Sequence, residues 1–229
     1  MTSFRRSRLR RFPATLCAAG LVLASLVTSC NTAKAIRHTA DGGPYLTPRN
    51  FAGVPRLPAS LRRVVLLPVA GSPSVPAETL ASFDPLVAAE LQRTGRFEVV
   101  TVSPAALMRL CDHSRILSSD ALPAGLLSLL AREFDADGVL FVDITTLSPY
   151  PPLALGFRSK LAAVDGTMLW AFDTLFSAHD PATANSAERY DKLRRATSGH
   201  GENNFSILRS PARFADFAAA TAFGTLPSR

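Results

Sequence analysis

The side chains that could do chemistry are three thiols, Cys17, Cys30 and Cys111, four imidazoles, His38, His113, His179 and His200, and a scatter of acids. A nucleophile needs a base within hydrogen-bond reach. "CDH", Cys111 to His113, is the one place where a thiol and an imidazole are close in sequence, and residues two apart on a helix point in different directions. Cys111 instead shares helical spacing with Leu107 and Leu110, so it is expected as a small, buried core residue. The histidines show no metal-ligand spacing, and "GHG", Gly199 to Gly201, reads as an exposed loop. "GSPSVP", Gly71 to Pro76, lies between a strand and a helix, yet it lacks the second glycine and the Lys-Ser/Thr pair of a phosphate loop. Asp143 inside an apolar strand and Asp173 opposite an aromatic face are odd places for acids. Each is expected on a wet face or satisfied by a turn rather than in catalysis. These groups do not converge, so no catalytic residue, metal ligand or cofactor is expected, and a periplasmic hydrolase is the less favoured alternative.

The elements that would position them begin at "RRVVLLPVA", where the consecutive apolar residues from Val64 give a buried strand. "DPLVAAELQRTG" predicts a helix with Asp84 as N-cap, Pro85 at the first helical position and Gly95 as its stop, its core stripe Val87 and Leu91 continued upstream by Leu80 and Phe83. A second strand, "RFEVVTV", leads to a short helix capped by Ser103 and begun by Pro104. "SSDALPAGLLSLLAREFDADG" then spaces Leu122, Leu126, Leu129, Leu130 and Phe134 as one helical face. Three strands follow: "GVLFVDITTL", "LALGFRSKLAAV" and "TMLWAFDTLFSA". In the second, Leu153, Leu155, Phe157 and Leu161 alternate with the outward Arg158 and Lys160, and in the third Met168, Trp170, Phe172 and Phe176 share a face. Asp165-Gly166 between them signals a tight type I′ hairpin. The turn "SPYPP", Ser148 to Pro152, offers a binding patch in which Tyr150 is the candidate anchor, with Trp170 assigned to the core. A helix "DPATANSAERYDKLRR", a polar loop "ATSGHGENN" and a last helix opened by Ser210 and Pro211 complete the chain. The order β-α-β-α-β-β-β-α predicts an α/β (α+β) fold, a mixed sheet of about five strands with helices packed on it.

Where the chain works is set by its beginning. Five arginines and no acid in "MTSFRRSRLRR" precede the apolar run Pro13 to Val27, which at 15 residues is short of the about 20 that cross a bilayer and reads as the core of a secretory signal. Val27-Thr28-Ser29-Cys30 resembles the lipobox of bacterial lipoproteins, with an ordinary signal peptide as the alternative. The resemblance implies that residues 1–29 are removed and that Cys30 carries diacylglycerol and an amino-terminal acyl group such as palmitate. Three chains anchor a protein far more firmly than one. Asn31 in place of Asp after the cysteine favours the outer membrane of a Gram-negative cell, with the protein on the periplasmic face. Loss of the signal leaves 20 basic against 18 acidic residues, so the formal +7 falls to +2. With no basic stripe, nucleic acid is not an expected partner; "KLRR", Lys192 to Arg195, reads as a solvated loop rather than a phosphate clamp. Only Cys111 would remain beside the lipidated cysteine, so the fold stands on its core without an internal disulfide. Residues 30–61, with Gly42-Gly43 and four prolines, are expected as a flexible tether, 62–180 as the α/β domain and 181–229 as a helical extension.

"RRVVLLPVA", "LQRTGRFEVVTVS", "ADGVLFVDIT" and the "LAAVDGTMLWAFD" hairpin together resemble the anticodon-binding-like domain of bacterial surface-assembly lipoproteins. That group comprises the CsgG-like curli secretion lipoprotein, the Pel exopolysaccharide lipoprotein, the penicillin-binding-protein activators and the amino-terminal domain of TolB. The resemblance spans Arg63 to about Asp180. No paired membrane-inserting hairpins of the curli kind are present. It implies a non-enzymatic, lipid-anchored component of an envelope or export assembly, with activation of a peptidoglycan synthase as the alternative. The implied partners are membrane lipid through Cys30, envelope proteins and further copies of the chain, with Tyr150, Arg158 and Lys160 as interface candidates. Arg158 and Lys160 would pair with acids such as Asp84 or Glu90 of a neighbour in a ring, or stay solvated on a monomer.

Overall fold

Val64 to Leu67 are apolar without alternation because both faces of their strand are covered, as a central parallel strand requires. The computed structural model describes residues 43–198 and 205–229. Its strands are β1 (Asn50–Ala52), β2 (Arg63–Leu66), β3 (Ala70–Gly71), β4 (Glu98–Thr101), β5 (Gly138–Ser148), β6 (Ala154–Ala163) and β7 (Met168–Ser177). Its helices are α1 (Ala77–Arg93), α2 (Pro104–Cys111), α3 (Leu126–Phe134), α4 (Pro181–Ser198) and α5 (Pro211–Phe223). The strands form one mixed sheet in the order β1-β7-β6-β5-β2-β4, with β3 continuing beside β5. β4, β2 and β5 are parallel; β5, β6, β7 and β1 are antiparallel. The mixed α/β class is as expected, with seven strands instead of about five.

The two faces are unequally dressed. On one, α1, α4 and α5 pack over the strands: Trp170, Phe172 and Phe176 stack along β7 and meet Phe217 and Phe223 of α5, with Phe176 to Phe217 at 5.6 Å and Trp170 to Phe223 at 6.3 Å between ring centroids. The indole N–H of Trp170 donates to Thr225 Oγ1 at 3.0 Å. On the other, α2 and α3 cover only the parallel half, packing on Val65, Leu67, Val139 and Phe141.

Several boundaries differ from expectation, each for a traceable reason. Residues from Pro44 to Leu61 are part of the domain rather than of a tether. Leu46 N donates to Ala182 O at 3.2 Å, β1 pairs with β7, and Leu57 and Leu61 are buried. Gly53 permits this closure, since a Cβ there would collide with the carbonyl of Met168. The expected extension from residue 181 is likewise core, because α5 supplies the aromatic layer over β7. Helix α1 starts at Ala77, two turns before the expected Asp84 cap, and runs through Pro85. The buried stripe Leu80, Phe83, Val87 and Leu91 outweighs the missing proline N–H. Asp84 then serves elsewhere: it accepts from Val69 N at 2.7 Å and from Arg115 at 3.0 Å. Leu122 lies outside α3 and is exposed, because Pro123 and Gly125, at φ +72°, break the helical run before Leu126. In the β6–β7 turn only Gly166 has positive φ, at +89°, and Ala163 N donates to Thr167 O at 2.9 Å. The connection is thus a three-residue loop rather than the expected type I′ turn, with Asp165 accepting from Thr167 N at 2.8 Å. Ser103 caps α2 as expected, accepting from Ala106 N at 3.1 Å.

Candidate functional site

The antiparallel half of the second face, β6, β7 and β1, has no helix over it. Register places its side chains in ranks across the strands. Asp143, Arg158 and Asp173 form one rank; Lys160, Ala171 and Phe51 form the next; Gly156 and Leu175 lie on the other side. Phe51 and Leu175 are each 59% exposed, large apolar groups on an open sheet face. Arg158 Nε donates to Asp173 Oδ2 at 2.7 Å, closing a cross-strand pair. Gly156 keeps the face flat, since a Cβ there would strike Thr145 Oγ1.

The α2–α3 connection straps the edge of this face. Ser118 donates from its backbone N to both oxygens of Asp143 at 3.1 Å and from Oγ to Oδ2 at 2.5 Å, while Lys160 Nζ donates to Ser118 O at 2.7 Å. Asp143 therefore has no exposed surface. Burial holds its carboxyl above the usual carboxylate range, against the opposing pull of the Ser118 hydrogen bonds and of Arg158 and Lys160. A carboxylate sealed under a strap and saturated with donors reaches no substrate. Asp143 and Asp173, read separately from the sequence, belong to one network with Arg158 and Lys160; Ser118, which completes it, carried no signal because its partner lies 25 residues away.

Other expected positions fall apart from this face. Tyr150 stands at one end of the sheet, on the β5–β6 turn, 79% exposed. Beside it a hollow of about 260 Å³ opens between α1, the turn and α5, lined by Phe83, Leu86, Leu147, Leu153 and Phe214. Cys111 is half-buried rather than buried: its thiol donates to Leu107 O at 3.4 Å, and its side chain packs on the α2–α3 core. The His113 ring bonds the Cys111 carbonyl at 2.7 Å, so no thiol–imidazole pair forms. The partners expected for Arg158 and Lys160 on a neighbour are engaged at home. Asp84 holds Arg115, and the buried Glu90 holds Arg93 and Arg194. The "KLRR" segment is helical within α4 instead of a loop, with Arg194 on Glu90 and Arg195 on Asp191. Burial raises the Asp191 carboxyl, but hydrogen bonds from Arg195 and Arg213 outweigh it and leave it below the usual range. Tyr190 in the same junction is pushed up to about 12, by burial first and then by the charge of Glu90. These groups lock α1, α4 and α5 together. Among the described residues no cluster of three or more His, Cys, Asp or Glu could hold a metal, and no helix is long and apolar enough to cross a membrane. Cys17, Cys30, His38, His200 and the signal lie outside the described residues.

No protein-family model and no curated protein matches the chain. Among solved structures it is similar to the PelC dodecamer from Paraburkholderia phytofirmans, at 16% identity and TM-score 0.48 over 80% of this chain and 98% of that one. It is similar also to lipoprotein GNA1162 from Neisseria meningitidis, at 13% identity and TM-score 0.42 over 61% and 99%. A third is the LpoB C-terminal domain from Salmonella enterica, at 17% identity and TM-score 0.33 over 50% and 82%. The Pel lipoprotein and the penicillin-binding-protein activators, two groups that the strand-end phrases resemble, are thus both represented. At these identities the likeness concerns the course of the chain alone.

Proposed function

We propose that this chain is a non-enzymatic, lipid-anchored periplasmic domain that docks to envelope proteins or to further copies of itself. The observation that carries the docking role is the helix-free sheet face, where Phe51 and Leu175 stand exposed around the Arg158–Asp173 pair. A monomer gains nothing from large apolar groups in water, whereas a partner that covers them does. "LVTSC" after a short apolar run supports the anchor, and the buried, donor-saturated Asp143 and Asp191 support a structural use of the internal acids.

The anchor is tested by Cys30→Ala. The wild type should take up radiolabelled palmitate and remain with membranes in high salt, while the variant should be exported, unlabelled and released. Equal retention of both would defeat the anchor. The docking face is tested separately by a photoreactive residue in place of Leu175 or Phe51 on native membranes. Adducts with another copy or an envelope protein are expected at both positions, and irradiation that yields only the unmodified chain would remove the docking face.

A further inference from the structure

Apart from the open face, the described residues hold one more exposed aromatic grouping, and it lies at the end of the sheet where the described chain begins. The β5–β6 turn carries Tyr150 at 79% exposure, and Phe205 is 71% exposed. Phe205, Pro151, Pro152 and Leu208 line one shallow hollow together with Ala178 at the end of β7. Ala178 N donates to Leu153 O at 2.8 Å, tying that end of β7 to the same turn. The incoming chain is fixed here too: Asn185 Nδ2 donates to Pro44 O at 3.1 Å, and Leu46 N donates to Ser186 Oγ at 2.9 Å on the first turns of α4. Tyr45 lies beside these anchors with the Arg189 guanidinium 5.3 Å over its ring.

We propose that this aromatic end of the domain rests on the lipid headgroups, so that the strands stand upright on the membrane and the open sheet face looks sideways. The inference deepens the lipid-anchor reading and rests on it.

Chain length makes the orientation specific. From Cys30 to Pro44 the backbone reaches at most about 50 Å when fully extended. A folded unit of the length of Pro44–Arg229 is about 40 Å across. Laying the opposite end on the bilayer would therefore use nearly all of that reach, whereas the end at which Pro44 is fixed meets it with slack. The chemistry of the two ends agrees. Tyrosine and phenylalanine settle at headgroup depth, an apolar body below and, for tyrosine, a hydroxyl in the wet layer. The opposite end, where β2, β4 and β5 begin, presents charge in place of aromatic rings: Arg63 pairs with Glu98 at 3.0 Å and with Asp135, whose side chain is 97% exposed, at 3.3 Å. Acids also occur at the aromatic end, Glu78 and Asp180, at the starts of α1 and α4; the Asp180 carboxylate is occupied by Thr183 N and Oγ1 at 2.9 and 2.7 Å.

The test uses the full lipidated chain in phosphatidylethanolamine–phosphatidylglycerol vesicles whose acyl chains carry bromine, a contact quencher of indole. The native Trp170 is buried and gives a constant background. Tyr150→Trp and Phe205→Trp add a reporter at exposed positions, and Ser228→Trp adds one at the opposite end, where Ser228 contributes its carbonyl to Leu57 N. The expected result is loss of most of the added emission at 150 and 205 with little loss at 228. Equal quenching at all three positions, or none, in vesicles that float with the protein would overturn the orientation while leaving the anchor intact. Failure of the protein to float with the vesicles would overturn both. Shielding of position 150 in native envelope membranes but not in pure lipid would assign this end to a protein partner and likewise overturn the proposal.

Discussion

Trp170→Ala is expected to lower the stability of the domain by about 4 kcal/mol, in the range for deleting a buried aromatic from a packed core. Trp170 has no exposed surface, stacks on Phe172 at 6.2 Å and meets Phe223 of α5. It also opposes Ala52 of β1 in the sheet register and holds Thr225 through its indole N–H. Removing it opens a cavity where β1, β7 and the end of α5 meet, so the loss falls on the whole domain. Urea unfolding followed by circular dichroism is the measurement, because the chain has one tryptophan and the variant loses it as a fluorescent probe. A fall in the midpoint with an unchanged slope is expected. A midpoint equal to the wild type would show that the aromatic layer does not hold α5 to the sheet. Trp170→Phe should fall between the two, keeping the layer and losing the bond to Thr225.

Asp143→Leu is expected to cost about 3 kcal/mol, since it removes one side of a buried, charged network and leaves its donors unpaired. Ser118 would lose the acceptor of both its N–H and its hydroxyl, while the Arg158–Asp173 pair would remain. Asp143→Asn retains an acceptor for Ser118 and should cost much less. The pH dependence separates the charge from the hydrogen bonds. Because the folded carboxyl lies above its unfolded value, the buried charge carries no penalty below the unfolded value; the penalty grows as pH rises past that value and is complete once pH has passed through the folded one. Asp137 and Asp191 work in the opposite sense. Backbone N–H groups of Arg63 and Arg62 hold Asp137 low against burial, so its stabilisation is present above the unfolded value and is lost as pH falls through the folded one. Subtracting the profile of the Asp143→Asn variant from that of the wild type leaves the Asp143 contribution alone. Urea midpoints across the acid range should show that difference rising toward low pH, and a flat difference would mean that the carboxyl is not perturbed by its burial.

What the sequence disclosed and what it withheld follow from the range of the forces involved. Strand β2, the caps Ser103 and Gly95 and the β6 alternation depend on neighbours within a few residues, and each was legible. Strand β1 was not, because "NFA" has no period of its own and becomes a strand only by lying on Trp170 to Phe172. The start of α1 was misplaced because a local rule about proline competed with a stripe whose energy lies in burial against the sheet. The candidate face was half legible. The outward Arg158 and Lys160 and the odd Asp143 and Asp173 could be seen individually, but their assembly into one rank needs the register of three strands, and Phe51 came from a segment expected to be tether. Tyr150 was legible as a turn residue, though its position at the end where the chain arrives depends on Pro44 meeting Asn185, 141 residues away.

The way β1 lies on β7 also has a mechanical meaning. The chain comes in at Pro44, runs along the strand axis through Asn50 to Ala52, and is then held by the buried Leu57 and Leu61 and by the bond from Leu57 N to Ser228 O. Under the proposed anchor, a pull on the chain would meet first the bonds of Pro44 and Leu46 to α4 and then, directed along the strand axis, would load the β1–β7 hydrogen bonds in shear, all at once, instead of peeling them one after another. The short strand that closes the sheet edge would then, by its direction, share the strain of such a leash with the bonds to α4.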